Sequence, residues 1–155
     1  MQSGRVMALD VGKVRIGVAV TDPLGYTAQP VLTLWRKSPG DDLRSLMRLI
    51  RKHAVEAVVV GNPLHMLGEV SPWAAKVQVF AQELRARSGL PVHLWDERLS
   101  TVAAHEILDE AGHDKRGRQG IIDQVAAVVI LRGWMEAQEQ AATREKRMGE
   151  KHCGA

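Results

Sequence analysis

Three carboxylates stand where an apolar pattern leaves little place for charge. Asp10 ends the run Val6-Met7-Ala8-Leu9. Glu97 follows Val92-His93-Leu94-Trp95. Asp123 sits inside Ile121-Ile122-Asp123-Gln124-Val125-Ala126-Ala127-Val128-Val129-Ile130-Leu131. That last stretch is apolar nearly all round at helical spacing, so it is expected to be buried on several sides. An unpaired buried charge is costly, so a metal ion or an arginine must compensate Asp123. In open α/β sheets, sites form at the carboxyl ends of strands, where Asp10 and Glu97 both fall. If their strands are neighbours, the two carboxylates converge, and Asp123 can approach from the packed helix. Clustered carboxylates raise one another's pKa unless a cation is present. Hard oxygen donors suit Mg²⁺ or Mn²⁺. The chemistry of such a trio is metal-assisted phosphodiester cleavage. One ion activates water, and a second roughly 3.5–4 Å away stabilises the leaving oxygen.

Each acid also has a plainer reading. Asp10 can serve a turn or cap, Glu97 can pair with Arg98, and Asp123 in a first helical turn suits the helix dipole. Asp96 competes with Glu97, because neighbouring residues of an extended strand face opposite ways. One of them faces Asp10, and the pattern alone leaves the choice open. Around the acids lie basic candidates for phosphate contact. These are Lys13 and Arg15 in a hairpin, and Lys115-Arg116-Gly117-Arg118 ahead of the last helix, a loop suited to clamp a nucleic-acid backbone. Arg44, Arg48 and Arg51 read as a solvated helix face. The six histidines show no metal spacing, and zinc is not expected.

The elements that must position these residues follow from hydrophobic period and turn chemistry. Arg5–Val11 and Arg15–Val20 form a hairpin about Gly12-Lys13-Val14. A third strand covers Ala28–Trp35, and Pro30 within it argues for a sheet edge. Ser38-Pro39-Gly40-Asp41 opens a helix whose apolar face is Leu43, Leu46, Met47, Ile50 and Ala54. A buried-type strand spans Glu56–Gly61. A helix follows from Pro72 to Arg87, with Ala75, Val79 and Ala81–Leu84 among its apolar positions. Then come a strand at Val92–Trp95, a helix from Ser100 to about Glu110, and a last helix from Ile121 to about Gln138. This order predicts an α/β fold. Its sheet is mixed, with three antiparallel strands first and parallel strands after, and with helices on its faces.

The chain has 155 residues, with 45% hydrophobic and 25% charged residues. This is one globular domain's worth of sequence, expected at residues 1–139, with residues 140–155 a flexible charged tail. No run approaches the ~20 apolar residues of a membrane helix. The first residues carry no basic-then-apolar leader. The single cysteine, Cys153, fits a reducing compartment, and the expected location is the cytoplasm. Lys and Arg total 21 against 18 Asp and Glu, a formal charge of +3. Fourteen of the 21 are Arg, the residue suited to bidentate phosphate contact, so nucleic acid is the favoured partner.

Three blocks resemble one known family. Ala8-Leu9-Asp10-Val11-Gly12-Lys13-Val14-Arg15-Ile16-Gly17-Val18-Ala19-Val20-Thr21-Asp22 resembles the opening of the YqgF/RuvX family. These are bacterial candidate pre-16S ribosomal RNA nucleases, also called Holliday junction resolvase-like proteins. Asp96-Glu97-Arg98-Leu99-Ser100-Thr101 and Ile122–Leu131 resemble its second and third motifs, in order. The resemblance spans about residues 5–138 and implies an RNase H-like fold with a five-stranded sheet. It implies Asp10, Glu97 and Asp123 as the catalytic and metal-binding set, favouring Glu97 over Asp96, with Mg²⁺ or Mn²⁺ as cofactor. It also implies processing of the 5′ end of pre-16S ribosomal RNA. Lys13, Arg15, Arg98, Lys115, Arg116 and Arg118 are then expected to neutralise phosphates. Two other functions stay open: a Holliday junction resolvase acting on DNA as a dimer, and a non-catalytic RNA-binding ribosome-assembly factor. One segment departs from the family pattern. Gly61-Asn62-Pro63-Leu64-His65-Met66-Leu67-Gly68 stands where relatives usually show Gly-Leu-Pro and then Asn-Met-Asp-Gly.

Overall fold

A meander at the start of the chain sets the sheet. In this computed structural model, which describes residues 4–63, 68–97 and 119–153, strand β1 spans Arg5–Val11, β2 Arg15–Thr21 and β3 Ala28–Trp35. The first turn is closed by the Gly12 amide donating to the Arg15 carbonyl at 2.8 Å. The second is closed by Asp22, whose Oδ1 accepts from the Tyr26 and Thr27 amides at 2.7 and 2.8 Å. Helix α1 (Pro39–Lys52) begins at Ser38, whose side chain accepts from the Asp41 amide, the expected N-cap geometry. It returns the chain to β4 (Val55–Asn62), which lies parallel to β1. Helix α2 (Pro72–Ser88) is capped by Ser71 and ends at Gly89, whose φ of 69° favours glycine. Strand β5 (Val92–Asp96) then adds parallel to β4, and helix α3 runs Gln119–Cys153. The sheet order is β3-β2-β1-β4-β5. This is the mixed sheet expected from the sequence, with Pro30 in an edge strand.

The two faces of the sheet are built differently. Met7, Leu9, Val11, Ile16, Val18, Val58 and Val60 pack beneath α1 and α2, meeting Leu43, Leu46, Ile50, Val77, Phe80 and Leu84. On the other face Val6, Ala8, Ala19 and Val59 meet Ala127, Ile130, Leu131 and Trp134 of α3.

Two expectations need correction. The inward face of α2 is Ala74, Val77, Phe80, Ala81 and Leu84. Ala75 and Val79 are exposed, Val79 at 54%. Phe80 is the largest of that helix's buried side chains, and its burial sets which stripe turns inward. The last helix does not stop near Gln138 but continues to Cys153. Residues 138–149 are exposed, as a segment poor in large apolar residues should be. Its Ala, Gln, Glu, Lys and Arg content sustains a helix without packing. The expected helix at Ser100–Glu110 lies outside the described residues. No helix among the described residues is long and apolar enough to cross a membrane.

Candidate active site

Alternation along β1 turns Val6, Ala8 and Asp10 toward α3, and Met7, Leu9 and Val11 toward α1 and α2. Asp10 is thus the one charged residue of an inward-facing row. Its neighbour across the β1–β2 ladder is Gly17. On the other side β1 and β4 pair Leu9 with Val60, so the next step brings Gly61 alongside. Asp10 therefore lies between two glycines in adjacent strands. A Cβ on Gly17 would collide with the Asp123 main-chain carbonyl, and one on Gly61 would lie 2.5 Å from Glu97 Oε1 and 2.6 Å from Ile130 Cδ1. Gly17 lets α3 settle onto β2 at Asp123. Gly61 lets Glu97 reach across β4 toward Asp10. Glycine inside a strand marks such close approach. The sequence reads Gly61 only as the end of a strand and Gly17 only as part of one, and neither as a point of close approach.

The competition between Asp96 and Glu97 resolves on the same alternation. Trp95 packs on the α3 side, its ring 3.1 Å from where a Cβ on Gly133 would stand. Glu97, two residues on, shares that side. Asp96 pairs with Asn62 at the end of the β4–β5 ladder and faces the other way.

Asp10 feels this crowding. Burial, the charges of Glu97 and Asp123, and a hydrogen bond with Glu97 together push its carboxyl from 3.8 up to about 7. Burial also raises Glu97, while the hydrogen bond from Asp10 acts the other way. The consistent state is Asp10 protonated and donating to a Glu97 carboxylate. Asp123 has a different partner, since Arg15 Nε donates to its Oδ2 at 2.6 Å. The Arg15 guanidinium also lies 5.4 Å from the centre of the Trp35 ring, directly across the β2–β3 ladder. Of the two compensations expected for Asp123, this arrangement shows the arginine. Arg15, expected on phosphate, is here bound to the acid. Lys13, in the hairpin, lies 5.7 Å over the Trp73 ring. Thr33 fixes the start of α3 by donating to the Gly120 carbonyl and accepting from Gln124 Nε2 at 3.3 Å.

Sequence reasoning also missed the brace behind the hairpin. Arg36 Nη1 donates to the Gly12 carbonyl at 2.9 Å, and its Nε donates to Asp42 Oδ2 at 3.0 Å. Asp42 is 2% exposed and also accepts from the Lys37 amide. In the sequence, Asp42 reads only as first-turn helix chemistry. In the divergent segment, Asn62 is buried and accepts from Gln78 at 3.4 Å, so its polar atom has a partner. Leu64–Leu67, Arg98, Lys115, Arg116 and Arg118 lie outside the described residues.

Among the described residues, no three His, Cys, Asp or Glu side chains stand arranged to hold an ion. Asp123 is turned to Arg15, and Asp10 and Glu97 are hydrogen-bonded to each other. The donor set itself is oxygen-only, the set that Mg²⁺ and Mn²⁺ take. Burial first, and then neighbouring carboxylates, raise Asp10 and Glu97, a crowding that a cation would relieve. By the chemistry of their donors these residues fit a divalent cation.

Residues 4–137 match the model of the RuvX family, described as Holliday junction resolvase. The chain belongs to the RuvX family. A Moorella thermoacetica relative, named as a candidate pre-16S rRNA nuclease, is 50% identical over 132 residues, covering 85% of this chain and 94% of its own. A Lachnospira eligens relative of the same name is 45% identical, covering 88% of this chain and 99% of its own. The RuvX fold has solved counterparts. Thermus thermophilus RuvC has a TM-score of 0.59 at 12% identity, covering 86% of this chain and 96% of that one. The yeast mitochondrial Holliday junction resolvase Ydc2 has a TM-score of 0.59 at 14% identity, covering 96% and 84%. The fold is RNase H-like, and membership of the RuvX family makes the chain a phosphodiester-hydrolysing enzyme.

Proposed function

We propose that this chain is a metal-dependent endonuclease that trims the 5′ end of pre-16S ribosomal RNA in the cytoplasm. Residues 1–139 form its nuclease domain, and the exposed residues 140–149 extend α3 beyond it. The observation that carries the reading is the convergence of Glu97 and Asp123 on Asp10 over Gly17 and Gly61. The relatives' names supply the substrate.

Asp10, Glu97 and Asp123 would hold the cation. When bound, a divalent ion polarises the scissile phosphate and lowers the pKa of an attacking water. The chain's own groups do the rest. Asp10 would release to solvent the proton it shares with Glu97, so that both carboxylates could serve as donors. Arg15, released from Asp123, stays beside the site as a cation for the phosphate. Lys13 extends this charge along the hairpin. Arg98, Lys115, Arg116 and Arg118 are proposed to contact the flanking backbone. Arg36 and Asp42 keep the hairpin in place.

The test is Mg²⁺-dependent cleavage of a pre-16S transcript by the wild type and by Asp10→Asn. Losing one electrostatic stabiliser costs about 10²–10³-fold in such sites, and equal activity in both would sink the assignment. The family description favours a second reading, cleavage of four-way DNA junctions. Paired incisions need two sites, hence a two-fold dimer. Symmetric nicks in a junction, together with an intact transcript, would select it.

A further inference from the structure

Beside the carboxylate site, the edge of the sheet carries a feature that the chemistry above does not use. Trp35 ends edge strand β3 and is 62% exposed. The other three tryptophans are buried or half-buried. Exposing so large an apolar ring has no packing rationale. Trp35 is coupled to the site through one side chain, because the Arg15 guanidinium both bonds Asp123 and lies over the Trp35 ring. Past Trp35, a recess of about 270 Å³ opens between β3 and α1, lined by Trp35, Lys37, Arg44, Ser45 and Arg48 among others. Arg44 and Arg48 stand four residues apart, about 6 Å along the helix and on one face. That spacing is on the scale of the step between successive phosphates of an extended strand. Arg44 also touches Asp41, but both side chains are largely exposed, at 66% and 46%. Such a pair is weak and yields readily to a phosphate. The other acid of the recess, Asp42, is buried and already bonded to Arg36 and the Lys37 amide. The recess is therefore net basic and begins at an exposed aromatic ring whose other neighbour is Arg15 of the site.

We infer that the Trp35–Arg44–Arg48 edge is a docking track for a single-stranded flank of the nucleic acid. One unpaired base stacks on Trp35, and the following phosphates meet Arg44 and Arg48. This rests on the nuclease reading for the placement of the scissile phosphate. A single strand is favoured over a duplex because only an unpaired base offers its face to a lone ring.

The experiment measures binding of two fluorescein-labelled RNA hairpins in EDTA over a series of salt concentrations. One hairpin is blunt and the other carries an eight-nucleotide single-stranded flank. The wild type should bind the flanked RNA about tenfold more tightly, on the scale of one stacked base. Arg44→Gln/Arg48→Gln should lose most of that gain and lower the log–log salt slope by about 1.4, two single-strand phosphate contacts. Trp35→Ala should lose the gain, whereas Trp35→Phe should keep much of it. A thermal melt of each variant checks that these surface changes leave the fold intact. Equal affinity of the wild type for both RNAs overturns the track, as does an unchanged slope in the double variant. A duplex flank that gives the same gain, insensitive to Trp35→Ala, also overturns it. Cleavage assays in Mg²⁺ separate the two ideas. Efficient cutting with no flank dependence of binding removes the track alone. Flank-dependent binding with no cleavage of either RNA in Mg²⁺ removes the nuclease reading alone.

Discussion

The two faces of the sheet use opposite volumes. Beneath α1 and α2 the strands present Met7, Leu9, Ile16, Val18, Val58 and Val60, all fully buried. Beneath α3 they present Ala8, Gly17, Ala19, Ala57 and Gly61, with Val6 and Val59 the larger exceptions. Large side chains on the first face bury apolar area, at about 25 cal/mol per Å². Small ones on the second give up that area and let a helix and three carboxylates come close. The same strands thus supply stability on one side and proximity on the other. The price of proximity is legible in Asp10, whose carboxyl is pushed up to about 7.

Substitutions can break that contrast. The largest expected effect on stability is on the first face. Leu9→Ala should cost about 2–5 kcal/mol in a denaturant melt, while the folded fraction keeps its cleavage rate. Gly61→Ala should do the reverse. Its new methyl meets Glu97 and Ile130, and overpacking costs about 1–3 kcal/mol. Displacing Glu97 by an ångström should slow cleavage about 10²-fold. A Gly61→Ala enzyme with wild-type turnover would refute the role given to this glycine. A third effect is smaller and has a sign opposite to the usual carboxylate. Between pH 3.8 and about 7, folded Asp10 keeps a proton that the unfolded chain has released. Its contribution is complete below the lower value and lost above the upper one, so stability in EDTA should fall as pH rises through this window. Melts at pH 5 and pH 8 test this. Asp10→Asn should flatten the difference, and Mg²⁺ should restore stability at the higher pH. The smallest effect belongs to the exposed end of α3. Removing residues 141–155 should change stability by about 0.5 kcal/mol or less, with the melting temperature as readout.

Sequence period revealed more of the fold than of the site. The five strands, the edge place of Pro30 and the Ser38 cap follow from local rules, and each rule has one outcome. The face of α2 did not, because Ala75 and Val79 are as apolar as the positions that are buried. Only the packing of Phe80 decides. The end of α3 escaped for the opposite reason, since helix propensity needs no core to act. At the site, the acids drew attention as charges in apolar runs. Gly17 and Gly61 did not, because a glycine's contribution here is the space it leaves, and that shows only once β1, β2 and β4 are in register. The Arg15–Asp123 bond joins residues 108 apart, and no local pattern announces it.

The separation of the acids along the chain also has a consequence in time. Asp10 leaves the ribosome with the first hairpin, whereas Asp123 follows about 110 residues later. At about 5–20 residues per second, that is a delay of about 6–20 s. The β1–β2–β3 meander can pair early, because its contacts are local. The proposed trio is complete only once Asp123 has emerged as well. A nascent chain that has exposed Asp10 but not yet Asp123 therefore lacks one of the three proposed donors, although it is held beside the ribosome's own RNA.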